Sequence, residues 1–192
     1  MSDTPQPEPA ETVAPASPRM LHGCPVDDSS GAVIVHCNRD AYLELCRGLR
    51  SDGYAMPVGV TGVDYLTHPG RTLPDGVVAE RFEVVVELLD LAARRRVRVR
   101  CQVPGSDPHV PTLFGIWPGV EAHERETYDM FGIRFAGHPD LRRILTWDGF
   151  NGYPLRKDFP LEGVDTGAAI YPEEWPEGGG PSKNDPNRKV VS

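Results

Sequence analysis

The sequence predicts an α+β fold, in which a mixed β-sheet with packed helices is followed by an extended C-terminal arm. Short runs rich in β-branched residues are separated by glycine and asparagine, and one intervening segment repeats its apolar residues at helical spacing. Both ends of the 192-residue chain are rich in proline, glycine and charge instead. We therefore predict a disordered tail over residues 1–30, one α+β domain over 31–145, and an extended arm over 146–192.

The first predicted strand covers residues 32–37 and leads into a helix that ends near residue 52. Asn38 is a suitable N-cap, and Gly53 is a suitable C-terminal stop. Apolar residues at three- and four-residue spacing give this helix one face that packs on a sheet. A strand interrupted by glycines follows over residues 56–66, and we interpret its Asp64 as an ordinary edge-strand or turn acid.

Residues 81–91 and 97–104 predict an antiparallel hairpin. Arg98 and Arg100 alternate with apolar residues, so the arginines lie on one face of the strand and the core lies on the other. An arginine run raises the possibility of nucleic-acid binding. The net charge of −8 and the lack of interleaved aromatic residues favour a solvated or partner-facing surface.

A second helix is predicted from Pro118, a residue suited to the first helical position, to Phe131, with Gly132 as its stop. Glu121 and Arg125 stand four residues apart and form a favourable pair. The apolar stripe of this helix is thin, which is typical of a solvated helix.

Residues 124–160 are unusually dense in charged, aromatic and proline residues. The irregular part after Leu141 contains Trp147, Phe150, Tyr153 and Phe159 among glycines and prolines. Aromatic and arginine side chains on irregular backbone are typical of the centre of a protein–protein interface. We therefore expect groups outside the chain to satisfy this stretch.

Composition limits the environment of the chain. The acidic balance argues against nucleic acid or an anionic membrane as the main partner, and we find neither a run of about 20 apolar residues nor a signal peptide. We expect a cytoplasmic chain that reaches a membrane only through partners. The four cysteines Cys24, Cys37, Cys46 and Cys101 lack ligand spacing, which predicts free thiols, with Cys46 and Cys101 in the core, over a metal site.

Motifs for self-contained chemistry fail on spacing. The run HERE at 123–126 has Thr127 where a zinc-protease helix needs its second histidine, and EGGGPSK at 177–183 lacks the spacing of a phosphate loop. Glu124, Glu126 and Asp129 do not share one helical face, and His138 before Pro139 is interpreted as a turn histidine. We predict no catalytic, cofactor-binding or metal-binding residue in this chain.

The blocks ERETYDMFGIRFAGHPDLRRIL at 124–145 and PLRKDFP at 154–160 closely resemble the signature of the C subunit, or 30 kDa subunit, of respiratory complex I. The resemblance extends more loosely back to about Val33, through GVDYL at 62–66 and RFEVVVELL at 81–89. Members of that family commonly carry a tryptophan at the place of Ala122, where this sequence departs from the pattern.

This resemblance implies an accessory core subunit of the peripheral arm of a proton-translocating NADH:quinone oxidoreductase. Such a subunit supports electron transfer from NADH through iron–sulfur clusters to quinone and carries no redox centre itself, because FMN, the clusters and quinone lie in partner subunits. The implied partners are other subunits of complex I, chiefly the D subunit, with the B and I subunits nearby. The implied location is the cytoplasmic side of the cell membrane, peripheral and within the complex.

We expect the charged residues of the signature to form the partner interface. Arginine and lysine side chains would bind partner carboxylates, and the acids would fix the signature locally or across the interface. The expected residues are Glu124, Arg125, Glu126, Asp129, His138, Arg142, Arg143, Arg156, Lys157 and Asp158.

Three alternatives remain open on the sequence alone. The chain could serve a related complex with another electron donor, such as a membrane-bound hydrogenase. It could be a stand-alone hydrolase that uses Glu126, Asp129 and His138. It could also be a free-standing adaptor with soluble partners.

Overall fold

The computed structural model describes residues 19–28, 32–147, 149–160 and 162. Six strands of this part form one sheet in the order β1-β2-β3-β6-β5-β4. A second sheet contains β7 and β8 alone. The strands are β1 Met20–Leu21, β2 Cys24–Asp27, β3 Val33–Asn38, β4 Met56–Asp64, β5 Phe82–Asp90, β6 Arg95–Val103, β7 His109–Pro111 and β8 Arg134–Ala136, and the helices are α1 Arg39–Ser51 and α2 Glu121–Phe131.

The large sheet is mixed, which confirms the predicted fold class. β3 runs parallel to β6, from the pair Val33 and Val97 to the pair Asn38 and Gln102. The remaining neighbours in this sheet, including the predicted β5–β6 hairpin, are antiparallel. A parallel pair needs a long crossover, and the chain between β3 and β6 supplies it through α1, β4 and β5.

Helix α1 packs on one face of the sheet through Tyr42, Leu45, Cys46 and Leu49, which are all buried. It ends before Gly53, whose φ of +104° is the left-handed conformation predicted for a stop. Asn38 occupies the N-cap position, but its side chain does not cap the helix. The amide instead binds the carbonyl of Gly76 and the backbone N–H of Val78.

The opposite face of β6 carries the arginines, as the alternation predicts. Val97, Val99 and Cys101 are buried, whereas Arg98 and Arg100 form ion pairs with Glu87 and Glu83 of β5. Acids of the neighbouring strand therefore neutralise these two cations.

The prediction of a disordered tail over residues 1–30 is wrong for residues 20–27, which form β1 and β2. Both residues of the turn between them have positive φ, His22 at 47° and Gly23 at 77°, as a two-residue hairpin requires. β2 pairs with β3 and brings Cys24 into the core. The composition of this region does not indicate strands this short. Pairing with the edge of β3 stabilises them. Residues 1–18 and 29–30 of the predicted tail lie outside the described residues.

Helix α2 has the predicted bounds to within a few residues. A 3₁₀ turn over Pro118–Val120 precedes it, and Gly132 follows it with a φ of +70°. Its inner side packs on β4: the Thr127 hydroxyl donates to the Val60 carbonyl, and the ring of Phe131 covers Gly62. No helix in the described ranges is long and apolar enough to cross a bilayer.

We expect Gly132→Ala to lower the free energy of unfolding by about 2–3 kcal/mol. A side chain strains the left-handed backbone, and a Cβ at this position would lie 2.6 Å from the ring of Tyr153. Denaturant unfolding of the purified chain measures the change. Gly115→Ala is the control, because a Cβ there meets no atom within 4 Å. Equal unfolding midpoints for the two variants would contradict the packing described for Gly132.

Candidate docking site

Residues 141–147 and 149–160, which we call the wrapping segment, fold over the outer side of α2. They supply donors to the last carbonyls of the helix, which have no partner within the helix itself. Arg143 donates to the carbonyl of Asp129, the backbone N–H of Leu155 donates to that of Met130, and Arg156 Nε donates to that of Phe131. Because the wrapping segment covers it, α2 is buried on two sides despite its polar sequence.

Asp129 is the centre of this arrangement. Its carboxylate is fully buried, and Oδ2 accepts the backbone N–H groups of residues 144, 145 and 146 at 2.7–3.0 Å. Oδ1 accepts a hydrogen bond from Arg143 Nη1 at 2.7 Å and another from the Thr146 hydroxyl. Burial raises the pKa of Asp129, but the hydrogen bonds from Thr146, Leu145 and Arg143 outweigh it and hold the pKa well below its ordinary value. One ionised carboxylate thus fixes the backbone of a whole loop.

A second buried carboxylate ties the far end of the wrapping segment to the sheet. Asp64, the last residue of β4, accepts from Arg81, from the N–H of Leu66 and from the N–H of Lys157 at 2.9 Å. Arg81 also pairs with Asp158 at 2.8 Å. Asp64 is therefore more than the ordinary edge or turn acid that the sequence indicates, because it joins segments 93 residues apart.

Glu124, near the other end of α2, is a third buried carboxylate that joins separate segments of the chain. Its fully buried carboxylate accepts from the Thr112 hydroxyl and from the backbone N–H of Leu113 at 2.7 Å, so it fixes the turn after β7. His138 Nε2 lies 3.9 Å from the carboxylate and within 3.2 Å of the Glu121 carbonyl. Burial outweighs the two hydrogen bonds and raises the pKa of Glu124 to about 7.

The structure corrects part of the expected interface. Glu124 and Asp129 are buried in their own chain, so neither carboxylate is available to a partner. Arg143 binds Asp129 and the Gly152 carbonyl, and Arg125 binds the carbonyls of Arg142 and Arg143. The expectation that outside groups satisfy the stretch is therefore wrong for these two carboxylates, because the stretch folds on itself. For Arg125 and Arg143 the partner contact stays a prediction.

The other expected residues differ in exposure. Glu126 and Lys157 are not buried, and Asp158 is half-exposed beside Arg81. Arg142 is largely exposed and pairs with Asp140. His138 lies in a turn with its side chain buried, as its turn interpretation predicts. Arg125 also forms the predicted pair with Glu121, at 3.5 Å.

The wrapping segment presents apolar side chains outwards, a feature that the sequence indicates only in part. Trp147 is among the aromatic residues expected at an interface and is 42% exposed, but Leu145, which the sequence does not single out, is 64% exposed. Ile144 and Leu155 are exposed as well. We call Ile144, Leu145, Trp147 and Leu155 the apolar patch. The available signal for Leu145 is its place two residues after Arg143, whose bonds to Asp129 and to the Gly152 carbonyl point inwards.

The aromatic residues of the segment pack on one another rather than standing free. Trp147 meets Phe150 edge-on with 4.9 Å between ring centroids, and Phe150 stacks on Phe159 at 5.9 Å. The guanidinium of Arg143 lies over Phe150 and Tyr153. This packing stiffens irregular backbone that has no helix or strand of its own.

The residues of the hydrolase alternative do not come together within the described part of the chain. Asp129 lies beneath the wrapping segment, His138 beside Glu124, and Glu126 at the surface. All four cysteines are buried free thiols, which confirms the core location of Cys46 and Cys101. Among the described residues, no group of three histidine, cysteine or acidic side chains is placed to bind a metal ion.

The chain is similar to subunits of respiratory NADH dehydrogenases. A family model described as the 30 kDa subunit of respiratory-chain NADH dehydrogenase matches residues 35–165. The C subunit of NADH-quinone oxidoreductase of Bordetella petrii is 44% identical over 147 residues, which are 71% of this chain and 70% of the relative. The C subunit of Saccharopolyspora erythraea is 41% identical over 150 residues, 75% of this chain but only 57% of that longer relative.

A solved structure shows the same fold. The trypsin-resistant fragment (1-134) of Nqo5 superposes with a TM-score of 0.55 at 38% identity, and the match covers 62% of this chain and 90% of the fragment. From the family model and these relatives, we conclude that the chain belongs to the family of the 30 kDa subunit, also called the C subunit, of NADH-quinone oxidoreductase.

Proposed function

We propose that this chain is an accessory, non-catalytic subunit in the peripheral arm of a proton-translocating NADH:quinone oxidoreductase. Family membership supports the assignment to this enzyme. In this proposal electrons pass from NADH to quinone through FMN and iron–sulfur clusters in partner subunits, while this chain contributes structure. It reaches the cytoplasmic side of the cell membrane only as part of the complex.

The apolar patch is the observation that carries the docking role. Leu145 is 64% exposed on a loop whose backbone N–H groups are already bound by Asp129. Such a loop loses little conformational freedom when a partner covers it, so more of the contact energy remains for association. Apolar side chains on a loop rimmed by arginine are typical of an interface core.

We propose that the D subunit of the complex covers this patch, with the B and I subunits nearby, and that the arm over residues 146–192 contributes to docking. The first part of this arm, to Pro160, packs on α2 and β4 of its own chain, which gives the remainder a fixed point of departure. Residues 163–192 lie outside the described residues.

Leu145→Asp should lower the recovery of assembled enzyme at least about tenfold, because a charge replaces a side chain that the interface buries. The chain, tagged at its N-terminus, is purified from membranes in mild detergent. Flavin, iron and NADH:quinone activity are then measured in the product.

Leu91→Asp is the matched control. Leu91 lies in the β5–β6 turn and is 66% exposed, so it tests the cost of a new surface charge at equal exposure. Normal assembly with Leu145→Asp, or equal losses for the two variants, would refute the patch as a docking surface. A wild-type chain that purifies alone, without flavin or iron, would refute the proposed function itself.

A further inference from the structure

Arg156 is the one cation of the wrapping segment that is half-buried yet lacks a carboxylate partner among the described residues. Its Nε donates to the carbonyl of Phe131. Its guanidinium carbon lies 4.4 Å from the ring centroid of Tyr153 and 5.1 Å from that of Phe82. These contacts fix the plane of the guanidinium, while no acceptor in the described chain engages its two terminal nitrogens.

Two acids lie near Arg156 but are bonded to another cation. That cation is Arg81, which is close enough to Arg156 to repel it. The two carboxylates present, Asp64 and Asp158, are both bound to Arg81. Burial lowers the pKa of Arg156, and the positive charge of Arg81 adds to the effect. The guanidinium of Arg156 is therefore partly desolvated, and no carboxylate of the described residues is bonded to it. A carboxylate from a partner would supply that missing bond.

A crevice of about 270 Å³ opens beside this guanidinium. Tyr153 and Phe159 form its aromatic walls, and Asp158 and Asn151 contribute polar atoms. Phe159 is also the last ring of the row that begins at the exposed Trp147. Ring contacts thus connect Trp147 of the apolar patch to the crevice, and we expect a protein that covers the patch to reach Arg156 as well.

We propose that an aspartate or glutamate side chain of the subunit that covers the apolar patch enters this crevice and binds the guanidinium of Arg156. This inference rests on the proposed function and specifies one contact within it. The guanidinium presents parallel donors to a carboxylate, and its fixed plane reduces the entropy lost on binding. Asp158 lines the same crevice and is bound to Arg81, so it repels a singly charged carboxylate less than it repels a phosphate dianion.

The other arginines of the signature do not fit this role as well. Arg143 and Arg125 are hydrogen-bonded to groups of their own chain. The Arg142 side chain is 68% exposed and pairs with Asp140. Exposed pairs contribute little, whereas a partly buried pair that a partner completes contributes to both affinity and orientation.

Zero-length cross-linking in the intact complex tests the contact directly. Arg156→Lys places an amine in the crevice, and a carbodiimide joins an amine to a carboxyl group in contact with it, with loss of water. The complex is isolated from membranes, treated, and digested for mass spectrometry. We expect a cross-link from position 156 to an aspartate or glutamate of another subunit that is absent from the wild-type complex. The matched variant Arg47→Lys, at an exposed arginine of α1, should give no such cross-link from position 47.

A second measurement does not require lysine to reach as far as arginine. Arg156→Met keeps most of the apolar volume and removes the charge. We expect this variant to leave the purified complex at least about 30-fold faster than the wild-type chain in moderate salt, because the partner carboxylate is stranded. Arg47→Met, at an exposed α1 arginine that pairs with Glu44, should leave at the wild-type rate. Denaturant unfolding of the free chains separates a loss of docking from a loss of folding.

The inference is wrong if position 156 cross-links only to carboxyl groups of its own chain and Arg156→Met dissociates at the wild-type rate. In that case the chain still assembles and the proposed function stands. If the wild-type chain joins no flavin- and iron-containing complex, both the contact and the proposed function are wrong.

Discussion

Replacing Asp129 with alanine is expected to lower the free energy of unfolding by about 3–5 kcal/mol. The substitution leaves Arg143, whose side chain is only 15% exposed, without its counterion and removes the acceptor of three backbone N–H groups. The loop that carries the apolar patch then loses its fixed shape. Denaturant unfolding measures the first effect, and tryptic cleavage after Arg142 and Arg143 in the native chain measures the second.

Asp140→Ala provides the matched comparison for this variant. Asp140 is also an acid paired with an arginine of the wrapping segment, but its side chain is 50% exposed. We expect a change within about 0.5 kcal/mol there. The difference in unfolding free energy between wild type and Asp129→Ala should also shrink as the pH falls below 3.8. The unfolded chain takes up a proton at this carboxyl there, whereas the folded chain, with its lowered pKa, does not. A pH-independent gap would show that the carboxylate charge is not what stabilises the loop.

Glu124→Gln is expected to change how stability depends on pH. Burial raises the pKa of Glu124 from 4.5 to about 7, so the folded chain binds a proton more tightly than the unfolded chain between these values. The wild-type free energy of unfolding therefore falls as the pH rises through this window, by about 3 kcal/mol from this group. Glutamine resembles the protonated acid and does not titrate, so the variant does not lose this stability. Its free energy of unfolding should therefore rise relative to that of the wild type as the pH rises.

The free energies of unfolding of the wild type and the variant are subtracted at each pH, because another group also titrates in this range. Burial lowers the pKa of His36, which gives a slope of opposite sign in an overlapping range. His36 is common to the wild type and the variant. Denaturant unfolding should show a larger difference in free energy between Glu124→Gln and the wild type at pH 8.5 than at pH 5. For Glu126→Gln, at the surface, this difference should not change with pH. A gap that does not change with pH would mean that Glu124 is not protonated more readily in the folded state.

Elements whose patterns are local are predictable from the sequence. The alternation in β5 and β6 and the apolar face of α1 are visible in the sequence. In these elements the position of a residue within its own strand or helix decides whether its side chain faces the core. The hairpin over residues 20–27 escapes prediction because its strands are too short to alternate visibly. Its His22-Gly23 turn is the available signal, since histidine adopts positive φ more often than most residues and glycine adopts it freely.

The burial of α2 is not predictable from its own residues. Its polar outer face is typical of a solvated helix, yet Asp129 binds groups 14–17 residues further along the chain. The sequence correctly identifies the stretch as one whose charges need partners. It does not distinguish partners in another chain from partners in the same chain, because charge density carries no information on distance.

The hydrogen bond from the Lys157 backbone to Asp64 has a consequence for synthesis. It spans 93 residues, and it forms beside the donors that satisfy the last carbonyls of α2. A nascent chain that ends before residue 143 contains Asp64, Asp129 and the whole of α2, but none of the groups of the wrapping segment that bury them. The surface offered to a partner is thus completed only by residues made late, so assembly is coupled to completion of this part of the chain.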